Sequence, residues 1–186
     1  RPYWMAACVM AKTIDPVQLF ADVLKEFHEH SKWDNAVLGR IKVISNTKVG
    51  SVGQLFIERL CDELSMPCAF PTNVKGQRLA QSPWDIKIAS IEFELKTATE
   101  DIAGHFQFNH VRYHRKYQAL LCLGVCPSNL YFGVWSKGDV VTGKAGSLVT
   151  MEKGANASYK LTKAPNQLYE IAEFQDRLRQ FAEGFR

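Results

Sequence analysis

Two acids and a lysine, Asp85, Glu94 and Lys96, stand in the stretch SPWDIKIASIEFELKTATE, residues 82–100. Their types suit holding a hard cation and orienting a water molecule. Hydrophobic residues alternate with polar ones along the stretch, which is the two-residue period of a half-buried hairpin. With Ala89–Ser90 as a two-residue turn, the cross-strand partners are Ile88 with Ile91, Lys87 with Glu92, Ile86 with Phe93, and Asp85 with Glu94. Ile86, Ile88, Ile91, Phe93 and Leu95 then share the core face, and Asp85, Lys87, Glu92, Glu94 and Lys96 share the other. In that register the Cβ atoms of Asp85 and Glu94 are roughly 4.5–5.5 Å apart. Carboxylates that close repel unless a cation lies between them. Mg²⁺ fits, because it takes one or two carboxylates together with phosphate oxygens and waters. Lys96 projects beside Glu94, placed to hold an attacking water or to offset charge growing on a phosphate. The same alternation also describes a solvated face laced by Lys87–Glu92 and Glu94–Lys96 ion pairs, and the pattern alone does not choose.

The elements that position this hairpin are read from periodicity. An Asp15–Pro16 start opens a helix with Val17, Phe20, Ala21, Val23, Leu24 and Phe27 at helical spacing, and His28 and His30 lie exposed at its polar end. A polar, glycine-containing connection leads to a second helix, SVGQLFIERLCDELSM, with Val52, Leu55, Phe56, Leu60 and Leu64 on one side and Glu58 at the border of that face. A short extended piece and a polar loop carrying Lys75 and Arg78 precede the hairpin. After it comes TEDIAGHFQFNHVRYHRKY, rich in histidine, arginine and aromatics. QALLCLGVCPSNLYFGVW reads as two apolar strands joined by a Pro-Ser-Asn turn, ending in a Ser-Lys-Gly-Asp turn. A glycine-punctuated β or loop region follows. The chain closes on an amphipathic helix striped by Leu168, Ile171, Ala172, Phe174, Leu178 and Phe181. This order predicts one mixed α/β domain over residues 15–186 with a central sheet. Residues 1–14 read as an N-terminal extension, part of it upstream of a natural start at Met5 or Met10.

Bulk composition narrows the classes. The chain has 186 residues, 46% of them hydrophobic, enough for one well-cored domain. A net charge of +4 leans mildly toward polyanionic partners. No apolar run approaches the roughly 18–20 residues of a membrane-spanning helix, so no membrane association is expected. The five cysteines lack paired zinc-ligand spacings and read as buried free thiols of a reducing cytoplasm. His105, His110 and His114 recur irregularly without companion ligands. Neither a Gly-x-Ser-x-Gly elbow, a phosphate-binding Walker loop, a dinucleotide fingerprint nor a His-Glu-x-x-His helix is present.

Pro83-Trp84-Asp85 followed by Glu94-Leu95-Lys96 resembles the PD-(D/E)XK motif of restriction-endonuclease-like nucleases. The wider pattern from about Lys48 to Trp135 looks most like type II restriction enzymes. The resemblance implies a central mixed β-sheet flanked by helices, with Asp85 and Glu94 as ligands of Mg²⁺ and Lys96 as the catalytic lysine. Family members often add a glutamate from a preceding helix, and KVGSVGQLFIERL offers Glu58 as a further metal ligand and catalytic acid. Gln54 stands where some members carry an acid, and Glu63 falls further along the helix. The spacer from Asp85 to Glu94 is short for the family, and Trp84 separates the proline from the aspartate.

If DNA crosses the polar face of the hairpin, the next segment supplies its contacts: Gln107, Asn109, His110, Arg112, His114, Arg115 and Lys116. Lys75 and Arg78, with Gln77 between them, are candidates for backbone contact in the earlier loop. The resemblance implies a type II restriction endonuclease that cleaves double-stranded DNA to 5′-phosphate ends. It further implies a homodimer matching a palindromic site, in the cytoplasm of a bacterial or archaeal cell. Two alternatives stay open: a structure-specific repair or junction-resolving nuclease of the same fold, and a non-catalytic DNA-binding module.

Overall fold

A computed structural model describes residues 15–26, 32–79 and 81–185. The expected extension at residues 1–14, and Phe27, His28 and His30, lie outside the described residues. Among the described residues, four α-helices run Pro16–Glu26 (α1), Asn46–Glu63 (α2), Lys137–Val141 (α3) and Phe174–Gly184 (α4). The same residues form nine strands, Cys68–Ala69 (β1), Ile86–Ile88 (β2), Ile91–Thr99 (β3), Phe106–Val111 (β4), Ala119–Val125 (β5), Leu130–Ser136 (β6), Leu148–Glu152 (β7), Ser158–Lys163 (β8) and Tyr169–Glu170 (β9). No helix among the described residues is long and apolar enough to cross a membrane.

The central sheet has the order β1-β2-β3-β5-β6-β9 and is mixed: β3 and β5 run parallel, and the other pairs are antiparallel. Helices flank it, as the mixed α/β expectation required. Strand β5 is buried at every position. Its uninterrupted apolar sequence is what a strand covered on both faces needs. One face of the sheet, carrying Ile86, Ile88, Ile91, Phe93, Leu121 and Phe132, forms a core with Ile57 and Cys61 of α2 and Phe174 and Leu178 of α4. The opposite face is covered by a second, three-stranded sheet of order β4-β8-β7, which brings Phe106, Phe108 and Leu161 onto Leu120 and Cys122.

The hairpin forms with the expected register, Ile86 opposite Phe93, Lys87 opposite Glu92 and Ile88 opposite Ile91. Its turn places Ala89 at φ 49° and Ser90 at φ 68°. Two successive left-handed residues make the tight turn whose twist matches the strands, a conformation that glycine or asparagine usually supplies.

Several expectations are corrected. Helix α2 starts at Asn46, capped by the Ser45 hydroxyl, which accepts the Lys48 N–H at 3.4 Å. Its buried residues are Val49, Gly53, Ile57 and Cys61, whereas Val52 and Leu55 are exposed. The reason is close approach: a Cβ on Gly53 would lie 1.9 Å from Thr97 Oγ1 on β3. The helix therefore turns its small residue, not its leucine, toward the sheet. Helix α1 is present and capped, with Asp15 Oδ1 accepting the Val17 N–H at 2.9 Å. Its apolar residues Val17, Phe20, Val23 and Leu24 are exposed rather than core. The closing helix begins only at Phe174, because Tyr169–Glu170 pairs with β6 as an edge strand before it. The Ser-Lys-Gly-Asp turn is the start of α3, capped by Ser136.

Candidate active site

Strand β3 carries the candidate residues. Cross-strand pairing ends at Ile86–Phe93, one pair short of the expected opposition of Asp85 and Glu94. Asp85 instead turns onto the backbone of β3. Its N–H donates to the Phe93 carbonyl at 2.8 Å, and its Oδ2 accepts the Leu95 N–H at 2.8 Å. The Asp85 carboxylate is thereby fixed beside Glu94 by the Leu95 N–H rather than by opposition across the ladder.

Glu94 has no solvent exposure. Lys96 Nζ lies 2.6 Å from its Oε1, and Arg115 Nη1 lies 3.7 Å from its Oε2. The Lys96 contact is a close ion pair to Oε1, whereas Oε2 is buried without a hydrogen bond. Burial pushes the Glu94 carboxyl above its ordinary range; Lys96 and Arg115 pull it down, and Asp85 pushes it further up. Hence the polar side of β3 is not a wet surface at Glu94, although it is at Glu92. The second sheet closes over it, with Lys96 keeping only 19% side-chain exposure.

Arg115, expected at DNA, is turned inward here. Besides facing Glu94 it donates to the Ser82 carbonyl, and its own carbonyl accepts from Lys137 Nζ at 2.6 Å. Tyr117 adds a buried hydroxyl without a hydrogen-bond partner. Its phenol is pushed up, first by burial and then by the nearby Glu94 charge. Spacing along the chain gave no sign that either residue reaches Glu94, since both arrive from the loop between β4 and β5.

From the other side, Gln54 of α2 donates its amide to the Asp85 carbonyl at 3.3 Å. Gln54 thus supports the backbone that carries Asp85. Glu58, one turn later, faces Arg78, with Oε2 3.3 Å from Nη1. The Arg78 guanidinium also stacks 3.6 Å from the centre of the Phe70 ring. The structure therefore brings Asp85, Glu94 and Lys96 together and pairs Glu58 with Arg78. Glu63, at the last turn of α2, is exposed. Among the described residues no three His, Cys, Asp or Glu side chains converge. A cleft of about 320 Å³, lined by Gln54, Pro71, Arg78, Ser82, Trp84 and Asp85 among others, opens on this site.

A buried carboxylate whose Oε2 has no hydrogen bond, next to a second carboxylate, fits a hard divalent cation such as Mg²⁺, which needs only one or two carboxylates from the protein. Asp85 and Glu94 are the residues that would hold it.

The remaining candidates divide. Gln107 is engaged internally, donating to Asp101 Oδ2 at 2.8 Å and accepting from Thr162 Oγ1 at 3.4 Å. His110 sits at φ 57° where β4 shifts register against β8, its Nδ1 3.6 Å from Glu152 Oε2. Arg112 Nη2 lies 3.6 Å from the same oxygen. Asn109, His114, Lys116 and Lys75 carry exposed side chains. Lys87 and Glu92 pair at 3.0 Å near the hairpin tip, away from the buried acid. The thiols of Cys61, Cys122 and Cys126 are buried and Cys68 is half-buried, all four reduced. Burial pushes the Cys61 and Cys126 thiols up to about 12, far from the thiolate a nucleophile needs.

No family model matches this chain, and no curated protein does. Among solved structures, a bacterial homing endonuclease aligns at a TM-score of 0.39 and 11% identity, over 64% of this chain and 75% of that one. At that degree of likeness the site has to be understood from its own residues.

Proposed function

We propose that this chain is a Mg²⁺-dependent endonuclease acting on double-stranded DNA, a type II restriction enzyme with the PD-(D/E)XK constellation. The observation that carries the reading is Glu94: wholly buried beside Asp85, its Oε1 2.6 Å from Lys96 and its Oε2 without a hydrogen bond. A purely structural ion pair has little reason to sink an acid that deeply and leave its second oxygen unsatisfied.

Asp85 and Glu94 would hold the metal, which supplies positive charge against the scissile phosphate. Lys96 orients the attacking water and offsets charge in the in-line displacement. Arg115, tied to the Ser82 carbonyl, braces the far oxygen of Glu94. Gln54 and the Leu95 N–H keep Asp85 from swinging away. The cleft next to Asp85 gives the phosphate backbone its approach. Asn109, His114 and Lys116 are the exposed groups offered to DNA from the β4–β5 side. Cleavage to 5′-phosphate ends by a homodimer on a palindromic site completes the reading.

The test is incubation of the chain with phage DNA and Mg²⁺, alongside EDTA and Lys96→Ala controls. Discrete fragments that vanish in both controls are expected, with the Lys96→Ala variant slowed by about 10²–10⁴-fold. Nicking confined to branched or damaged DNA would shift the reading to a structure-specific nuclease. Binding without cleavage would overturn any nuclease reading.

A further inference from the structure

The loop Pro71–Leu79, which forms one wall of the cleft at Asp85, is built as a stiff finger. Its stem is closed by a bridge between Thr72 and Arg78 and by the Leu79 N–H donating to the Pro71 carbonyl at 2.9 Å. Its tip is organised by one side chain. Asn73 Oδ1 accepts the Lys75 and Gln77 N–H groups at 2.9 and 3.0 Å, and its amide donates to Gln77 Oε1 at 3.0 Å. The Asn73 carbonyl takes the Gly76 N–H at 2.9 Å, with Gly76 at φ 75°. The base of the finger is pinned to the body by Arg78, through Glu58 and Phe70.

All this order presents Val74, whose side chain is fully exposed, with Lys75 exposed next to it. Ordering a loop costs conformational entropy, and neither tip side chain recovers it through contacts within the chain. An apolar group and a cation, held side by side at the tip of a finger whose base residues Pro71, Arg78 and Leu79 line the cleft at Asp85, match the two components of a nucleic-acid groove. The cation meets phosphate, and the apolar group meets base edges or a base step.

We infer that the 71–79 finger enters a groove of the DNA duplex, Val74 making apolar contact with the bases and Lys75 neutralising a flanking phosphate. Asn73 and Arg78 are positioning residues that hold the finger upright. This rests on the nuclease reading and adds to it a specificity-bearing element outside the hairpin.

The test measures binding of the full chain, in EDTA, to a phage DNA fragment carrying one cleavage position, across a range of salt concentrations. Lys75→Ala should lower the slope of log affinity against log salt by about 0.9. Val74→Ala should weaken binding by about three- to tenfold and leave that slope unchanged. Both residues are exposed, so folding is not at stake, and melting curves should superpose on wild type. If the wild-type chain cuts DNA but both tip variants keep its affinity and salt slope, the finger is overturned while the nuclease reading stands. If the wild-type chain neither binds nor cuts DNA, both are overturned.

Discussion

Within one hairpin, two lysine–glutamate pairs of similar composition have different physical lives. Lys87 and Glu92 face each other 3.0 Å apart near the turn, with side-chain exposures of 38% and 28%. Lys96 and Glu94 lie 2.6 Å apart two residues deeper, with exposures of 19% and 0%. Both pairs belong to the polar alternation of the same strands. What separates them is what lies above: solvent and the Trp84 ring, 5.2 Å from Lys87 Nζ, in one case, and the β4-β8-β7 sheet in the other. Water screens the first pair and keeps its charges solvated. The second pair sits where an unsatisfied carboxylate is costly, so it needs Lys96, Arg115 and, on the proposed function, a metal.

The largest expected effect of this difference is on cleavage. Lys87→Ala should leave the rate of phage DNA cleavage within about threefold of wild type, against the loss of about 10²–10⁴-fold at Lys96. Equal losses at the two lysines would erase the distinction between the pairs. The helix that backs the deep pair gives the next effect. Gly53→Ala forces a Cβ into Thr97 and should destabilise the fold by about 1–3 kcal/mol. Gly50, three residues earlier in the same helix, has open space where a Cβ would stand, with nothing within 4 Å, and Gly50→Ala should stabilise by about 0.5–1 kcal/mol. Urea unfolding of the two variants reads both signs.

The hairpin register was legible because a period of two allows few alternatives once the turn length is set. It was legible despite Ala89–Ser90, whose left-handed backbone the local composition does not favour. Strand β5 was equally plain from its unbroken apolar run. The buried stripe of α2 was not, since hydrophobicity marks Val52 and Leu55, while close packing against β3 selects Gly53. Nor was the burial of Glu94. Alternation assigns a residue to a face, but the cover over that face comes from residues 106–163, whose pairing no local pattern encodes. Arg115 illustrates the same limit: a basic residue among aromatics suggests DNA, and only the fold turns it onto an acid.

Glu94 sharpens the comparison through pH. Its carboxyl is raised in the folded chain, chiefly by burial, from an ordinary value of 4.5. Between that value and the raised one, the native state binds more protons than the unfolded state. The contribution of Glu94 to stability is therefore greatest below the ordinary value and is lost as pH rises through the folded one. Glu94→Gln removes that titration. The stability difference between Glu94→Gln and wild type should move in favour of the variant as pH rises above 4.5, and unfolding curves taken at successive pH values measure it directly. The other carboxylates cancel in the difference. A gap that stays constant with pH would mean that Glu94 is better solvated than its burial implies.

The smallest effect belongs to the shallow pair. A double-mutant cycle on Lys87→Ala and Glu92→Gln should return a coupling of about 0.2–1 kcal/mol, shrinking further in high salt. The same cycle on Lys96→Ala and Glu94→Gln should return a larger coupling that salt barely changes, because breaking either side strands a buried charge. Side-chain entropy works in the same direction: Lys87 keeps more freedom to lose than Lys96, so its pairing gains less. Two couplings of equal size and equal salt dependence would show that depth along the hairpin does not set the behaviour of the pairs, and the case for Glu94 as anything more than a paired acid would weaken with it.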